Sequence, residues 1–567
     1  VGAVVGTGHA PAAETDPTDV TVGHRRTRRS PAADVAVPMG VHRPMLEHPA
    51  RSPGRHGTVG PVTSPDRPTS AEAPRHVKII ATIGPASADL DTLIAMIRAG
   101  MDAARINCSH TPVERIPELV ATVRAAEDVA GRHVAVLGDL AGPKLRIDGL
   151  AGMVDLAVGD PVRIGAADAE RPADADDPTA GIWFRVPVPE LLASCGPGDT
   201  VLLADGEVAV EIRAVETDHL RGIVTTPGTI GPRKGVHFPG IDLAGSAITD
   251  ADRRAIEVGL DAGVDVFAVS FVQHPDDVAT ARALIGDRAL IIAKIERASA
   301  VDEIDGILAL ADGMMVARGD LGVELPLEEV PGIQKDLVNR SLMERKIPVV
   351  ATEMLESMIT SARPTRAEVS DVANAALDGA SAVMLSAETA MGAHPVETVA
   401  TMDRILRHVE HHRRYTGSLL ATQADRSATS SAAAPLLDHI SWGAPLADAA
   451  TELAPRVGAA AIVLITETGR TARLLAAARP ACPIVAACFS ETVARRLCLS
   501  WGVIPVIIGR PESRSDLRHR AAGAAGRAVG GAGGVMVVLS GPVDDHQVLD
   551  DLRIMLVDGR GGVVPHA

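Results

Sequence analysis

Residues 291–305, IIAKIERASAVDEID, and 315–335, MVARGDLGVELPLEEVPGIQK, decide how this chain is read. Each opens on a short apolar run of strand length and passes into a segment of helical character. Charged residues stand where the apolar runs stop. Lys294 and Glu296 end the first, and Asp320 follows the second.

The same unit recurs along the chain. From residue 75 to about 409, leaving aside 148–243, short apolar strands alternate with amphipathic helical stretches, the signature of an α/β fold. The strand candidates are 78–83, 103–106, 133–137, 265–269, 289–293, 313–317, 347–351 and 382–385. Eight such units predict a (β/α)₈ TIM barrel over 75–147 and 244–409, with its active site where the strands end. Between the third and fourth strands, 148–243 changes texture. VGDPVRI, GDTVLLADGEVAVEIRAVE and LRGIVTTPG alternate apolar and polar residues, which predicts a small inserted β-barrel. An insertion in a strand-to-helix loop sits over the barrel mouth as a candidate lid. Residues 410–437 are polar and low in complexity, a linker. Beyond them, over 438–567, the apolar runs 460–465, 482–488, 502–508 and 534–540 alternate with helical segments, predicting a doubly wound α/β domain.

The chain has 567 residues, so several domains are expected. Its 46% hydrophobic content contains no run near the ~18–20 apolar residues of a membrane span. The start, VGAVVGTGHAPAAETD, lacks a basic region and a long apolar core, so export is not expected and a cytoplasmic place is. Residues 1–74, rich in Pro, Ala and Arg and without periodicity, are expected to be disordered. Cys108, Cys195, Cys482, Cys488 and Cys498 are scattered, with no C-x-x-C pair, and read as buried reduced thiols. A net charge of −17 argues against non-specific nucleic-acid binding. Anionic substrates would need a local cluster of Lys and Arg.

Such a cluster is written at the strand ends. ARINCSH places Arg105, Asn107, Ser109 and His110 after the second strand, and GDLAGPKLR places Asp139, Lys144 and Arg146 after the third. Thr352 adds a hydroxyl after the seventh, and Gly319 permits close backbone approach beside Asp320. Two carboxylates from adjacent strand ends, Glu296 and Asp320, suit Mg²⁺, which takes oxygen ligands and keeps sites for substrate. An ion pair among Lys294, Glu296 and Asp320 is the alternative reading of the same residues.

Taken in order, KIIATIGPAS (78–87), GMDAARINCSH (100–110), GDLAGPKLR (138–146), RKGVHFPG (233–240), AKIE (293–296), MVARGDLGVE (315–324), ATEMLESM (351–358) and RPTRAEVSDVANAALDGASAVMLSAETAMGAHP (363–395) closely resemble the pyruvate kinase family. The resemblance runs from about residue 76 to the C-terminus. It implies phosphoryl transfer from phosphoenolpyruvate to ADP, giving pyruvate and ATP, the last step of glycolysis. It implies that Glu296 and Asp320 hold Mg²⁺, with Mn²⁺ as a substitute, and that Lys294 stabilises the phosphoryl group in flight. Arg105, Lys294, Gly319, Asp320 and Thr352 would contact phosphoenolpyruvate, with Thr352 in a water relay to the enolate. Asn107, His110, Arg146 and, from the lid, Lys234 would lie near the nucleotide. A homotetramer is also implied, with the helix in 363–379 at a subunit interface.

That helix has its own physical signature. Thr365 and Glu368 form a capping box, Val369, Val372, Ala373, Ala376 and Leu377 recur with helical period, and Gly379 suits a left-handed C-cap. Glu353 stands where the family commonly has Gln and is expected to face outward. Ala387 replaces a common Gly.

In the C-terminal domain, Thr466, Thr468, Gly469, Arg470 and Thr471 meet the start of a helix and predict a phosphate site, which the resemblance implies would bind the phosphate of an allosteric effector. Asp544 and Asp545 stand where a bisphosphate would want cations, so a monophosphate, AMP or a sugar monophosphate, is expected. The resemblance also implies a monovalent-cation region at Asn107, Ser109, Asp139 and Lys144; where the family commonly reads Thr-Lys-Gly-Pro-Glu after the acid, Leu140 here removes an oxygen ligand and Lys144 brings a tethered charge. Potassium is therefore not expected to be required. Two other readings compete: a Mg²⁺-dependent lyase or aldolase barrel handling phosphoenolpyruvate or pyruvate, and a non-catalytic metabolite-sensing relative.

Overall fold

The computed structural model describes residues 74–175, 180–188, 191–241, 247–412, 443–510, 513–531, 533–541 and 551–564. The expected extension 1–74, apart from Pro74, lies outside them, as do most of 410–437 and both Asp544 and Asp545.

Eight parallel strands close a barrel in the spatial order Lys78–Ile83, Ala382–Leu385, Ile347–Ala351, Gly313–Ala317, Leu290–Ile295, Val266–Val269, Ala135–Asp139 and Ala103–Asn107. Four of the expected strands coincide with the observed ones to the residue. The third starts at Ala135 rather than 133. The reason is local: the Arg124 guanidinium takes the Val134 carbonyl at 2.7 Å, and the His133 ring turns to Glu127, so pairing begins only beyond them.

Period-two alternation sends one set of side chains into the barrel. Ile80, Ala103, Leu137, Val266, Ala268, Ile292, Met315, Val349 and Met384 form this inner core. Cys498 and Leu499 of the C-terminal domain join the same cluster and plug the barrel end remote from the mouth. The other face of each strand packs on the surrounding helices.

The helix Arg366–Asp378 begins as expected, with the Thr365 hydroxyl accepting from Glu368 N and the Glu368 carboxylate accepting from Thr365 N. It ends at Gly379, φ 104°. Its buried stripe is Val372, Ala375 and Ala376, while Val369 is exposed.

The insertion is a six-stranded sheet in the order Val236–His237, Thr200–Leu203, Val208–Val215, His219–Thr226, Pro161–Gly165, Ile182–Arg185, beside a two-stranded ribbon. Among the described residues its edges are not joined by a continuous ladder. Instead Arg146 bridges Gly235 and Asp148 bridges Arg185, so the connecting segment itself completes the curl around a core of Val162, Phe184, Val210 and Phe238.

The C-terminal sheet runs Val503–Ile507, Ile484–Cys488, Ala459–Thr466, Gly534–Ser540, and these four are parallel. Two antiparallel strands, Asp551–Val557 and Val563–Val564, extend the edge and were not expected from the sequence. Asp551–Val557 carries charge at both Asp551 and Arg553 and reads poorly as a strand. It forms because Gly534–Ser540 offers an unpaired edge along its whole length.

Candidate active site

The alternation that fills the barrel also delivers the polar residues. Ala103, Arg105 and Asn107 share one face, as do Ala135, Leu137 and Asp139, and Leu290, Ile292 and Lys294. Each series starts with a small or apolar core residue and ends at the mouth with a polar one.

Arg105 Nε donates to Asp139 Oδ2 at 2.6 Å, and its Nη1 donates to Thr82 Oγ1 at 2.9 Å. Lys294 Nζ lies 2.8 Å from Glu296 Oε1, 3.3 Å from Asp139 Oδ1, and donates to Ser270 Oγ at 2.7 Å. Ser270 in turn donates to the Leu140 carbonyl at 2.8 Å. Burial opposes the Lys294 charge, but Asp139 and Glu296 outweigh it and hold the ammonium well above its ordinary range. Burial likewise opposes ionisation of Asp139, and Lys294 and Arg105 reverse that and lower its carboxyl.

Glu296 Oε2 accepts from Phe271 N at 2.7 Å, a contact made where Phe271 takes φ 56°. Burial pushes the Glu296 carboxyl up, Lys294 pulls it back, and the negative charge of Asp320 adds to the rise. Two carboxylates that repel each other at the mouth fit a divalent cation, which would relieve both. Among the described residues no group of three or more His, Cys, Asp or Glu side chains is disposed to hold a metal. A metal here would rest on two protein carboxylates and take its other ligands from substrate and water, the habit of Mg²⁺.

Thr352 sits at φ 69° and Glu353 at φ 52°. For a β-branched residue that conformation costs on the order of 1–3 kcal/mol and persists only when held. Thr352 Oγ1 accepts from Gly319 N at 2.9 Å and donates to the Ala351 carbonyl at 2.6 Å. Arg318 clamps the same turn, donating to the Thr352 carbonyl at 2.6 Å, the Ala351 carbonyl at 3.1 Å and Asp371 Oδ1 at 2.7 Å. Glu353 is exposed, as expected.

Between barrel and insertion lies a cavity of about 360 Å³ lined by Ser109, His110, Ala141, Gly142, Lys144, Arg146 and Arg233. Three cations converge there. Arg233, not Lys234, supplies the insertion's charge to the lining, and Lys234 is half-buried just outside it. Asn107 stands at the edge, its Oδ1 accepting from Ser109 N at 3.1 Å. Lys144 does not join Asp139. Its Nζ lies 3.4 Å from Asp320 Oδ1 and 3.2 Å from Asp205 Oδ1 of the insertion. The two carboxylate oxygens of Asp139 are already taken by Arg105 and Lys294, which leaves Lys144 to Asp320 and Asp205.

Sequence reading missed Thr82, Ser270 and Arg318. The first two fall at the ends of inward-facing series, Ile80–Thr82 and Val266–Ala268–Ser270, and the same period-two count reaches them. Arg318 adjoins Gly319 in a run already singled out, but its partners Thr352 and Asp371 come from other elements.

In the C-terminal domain Gly469 N donates to Thr466 Oγ1 at 2.9 Å, while Thr468 and Arg470 are exposed at the start of the helix Arg470–Ala478. The loop follows Ala459–Thr466, where the strand order reverses.

A closed parallel eightfold barrel with charged side chains gathered at the carboxyl ends of its strands defines a (β/α)₈-barrel enzyme. The family model described as pyruvate kinase, barrel domain, matches residues 74–399, and the pyruvate kinase alpha/beta domain matches residues 445–554. The chain is 44% identical over 435 residues to a pyruvate kinase of Agrobacterium vitis, covering 76% of this chain and 86% of that protein. It is 41% identical over 450 residues to a pyruvate kinase of Methylorubrum extorquens, covering 79% and 90%. Against a pyruvate kinase of Mycobacterium tuberculosis it is 39% identical over 449 residues, covering 78% and 90%. The chain belongs to the pyruvate kinase family. Neither the lyase or aldolase reading nor the non-catalytic one is favoured by these matches.

Proposed function

We propose that the barrel mouth transfers the phosphoryl group of phosphoenolpyruvate to ADP, giving pyruvate and ATP. The observation that carries this is the buried Lys294–Glu296 pair at 2.8 Å, set beside Asp139 and facing Asp320. Glu296 and Asp320 would hold Mg²⁺, or Mn²⁺ in its place, which neutralises charge on phosphate and enolate oxygens when bound. Lys294 contributes a fixed positive charge for the equatorial oxygens of the phosphoryl group, the kind of stabilisation phosphoryl transfer needs most. Arg105, Gly319 N–H and Thr352 orient phosphoenolpyruvate. The Thr352 hydroxyl is placed to take part in a water relay that protonates the enolate. Asn107, His110, Arg146 and Arg233 line the nucleotide side, with Lys234 at its margin. A pyruvate-release assay with phosphoenolpyruvate, ADP and Mg²⁺ tests the reading, and absence of ADP-dependent pyruvate would overturn it.

Potassium independence belongs to the same proposal. Lys144 supplies a tethered unit charge beside Asp320, so no ion has to be recruited from solution. Burial disfavours that charge, but Asp320 and Asp205 more than offset it and raise the ammonium's pKa, keeping it charged throughout the working range. Wild-type turnover is expected to change little between tetramethylammonium and potassium buffers at matched ionic strength, whereas Lys144→Glu should become potassium-responsive. Strong activation of the wild type by potassium would contradict the assignment.

The loop Thr466–Thr471 at the strand-order reversal is proposed to bind a phosphorylated effector, AMP or a sugar monophosphate. Activation should follow a monophosphate and be lost in Arg470→Ala. Activation by fructose 1,6-bisphosphate alone would be the contrary result. A cytoplasmic homotetramer is proposed as well, with the exposed N-terminal half of Arg366–Asp378, Val369 included, available to a second subunit. Among the described residues no helix is long and apolar enough to cross a membrane.

A further inference from the structure

A hairpin of the inserted domain reaches the metal side of the mouth. Its tip lies between Thr200–Leu203 and Val208–Val215, with Ala204 at φ 53°, Asp205 at φ 57° and Gly206 at φ 97°. The turn is anchored by Ala204 N donating to the Gly235 carbonyl at 2.9 Å. It projects Asp205 across the domain boundary to Lys144, whose Nζ is shared between Asp205 Oδ1 at 3.2 Å and Asp320 Oδ1 at 3.4 Å.

Three observations separate this from an ordinary surface ion pair. Lys144 is largely buried, its side chain only 28% exposed. The backbone leaves room for the contact: a Cβ on Gly235 would fall 2.3 Å from Asp205 Oδ1 and 3.5 Å from Lys144 Cε. His237, with its side chain 5% exposed, aims Nε2 between the two carboxylates, 3.8 Å from Asp205 Oδ1 and 4.0 Å from Asp320 Oδ1, and its interaction with Asp205 is the main influence holding that carboxyl below its ordinary range. The tip also abuts the barrel, since a Cβ on Gly206 would stand 3.4 Å from Val323 Cγ2 of the helix Arg318–Glu324.

We infer that Asp205 is a positioning residue of the lid: by pairing with Lys144 it holds the inserted domain over the mouth and sets Lys144, Arg146 and Arg233 around the nucleotide's phosphates. The role rests on the proposed pyruvate kinase reaction, and it concerns the nucleotide side because the cavity lined by those three cations lies between lid and barrel. Phosphoenolpyruvate is held by Arg105, Gly319 and Thr352, all of the barrel, and depends less on the latch. Asp205 is about half exposed, so the latch is weak enough for the lid to open in each turnover.

The experiment uses the full chain with Cys108→Ala, which removes the native thiol that is not fully buried, carrying Thr217→Cys on the lid and Asp128→Cys on the barrel, both exposed positions, labelled with a donor and acceptor dye. Energy transfer is read without metal or substrate, and steady-state kinetics are read on the unlabelled chain. Asp205→Asn is expected to move the dyes apart and to raise KM for ADP about three- to fivefold, the range of a partly exposed ion pair, with kcat and KM for phosphoenolpyruvate changed less than about twofold. Asp205→Glu should restore both readouts, which a mere loss of folding stability would not explain. Unchanged energy transfer in Asp205→Asn, or an equal rise in KM for both substrates, would overturn the inference. A chain with no pyruvate kinase activity at all would instead remove the proposed function, while the energy-transfer arm would still report on the latch.

Discussion

Lys294→Ala is expected to lower turnover by roughly 10²-fold or more, the scale of removing one preorganised charge-stabilising group from a water-poor site. The ammonium is held by Ser270, Glu296 and Asp139, so it is aimed before substrate arrives and pays no reorganisation during transfer. The fold should survive. Asp139 keeps Arg105, and Glu296 keeps the Phe271 N–H, so neither buried carboxylate is stripped of every partner. Some stability will still be lost, because breaking a buried ion pair leaves charge uncompensated. The two effects separate experimentally: thermal unfolding reports the second, and kcat with phosphoenolpyruvate at saturating Mg²⁺ reports the first. Substrate KM should move far less than kcat. Turnover near the wild-type value would contradict the role given to Lys294.

Asp320→Asn should raise the Mg²⁺ concentration needed for half-maximal turnover by about 10- to 100-fold or more, since even residues behind the first ligands change metal affinity on that scale. With only two protein carboxylates in the proposed site, losing the charge of one removes half of what draws the cation. Direct Mn²⁺ binding to the substrate-free protein, followed by electron paramagnetic resonance, gives a readout independent of catalysis and should weaken in parallel. Lys144 loses one of its two carboxylate partners in this variant and retains Asp205. Superimposable metal titrations of wild type and variant would place the metal elsewhere.

Much of the barrel and of its mouth is legible in the order of residues, and the reasons are local. A strand such as Gly313–Ala317 must be apolar on both faces, because one faces the barrel core and the other the helices, so its limits are visible without any partner. The helix Arg366–Asp378 carries its own start and stop in Thr365, Glu368 and Gly379. Arg105, Asp139, Lys294 and Glu296 could be named because a fixed period of two carries each from a core position to the rim.

Contacts between elements far apart in the chain could not be read this way. The sequence shows that Lys144 is charged and close to the third strand. Only the folded insertion brings Asp205 against it, 61 positions later, and only Arg105 and Lys294 together exclude it from Asp139. That Arg233, in a turn at φ 65°, lines the cavity is something alternation does not foresee. The plugging of the barrel by Cys498 and Leu499, and the antiparallel strand Asp551–Val557, depend on surfaces presented by other segments. Periodicity and capping act within a few residues, so the chain itself determined the elements and the faces they present. Which charge meets which across a domain boundary is set by long-range packing, and that was decided only in the tertiary structure.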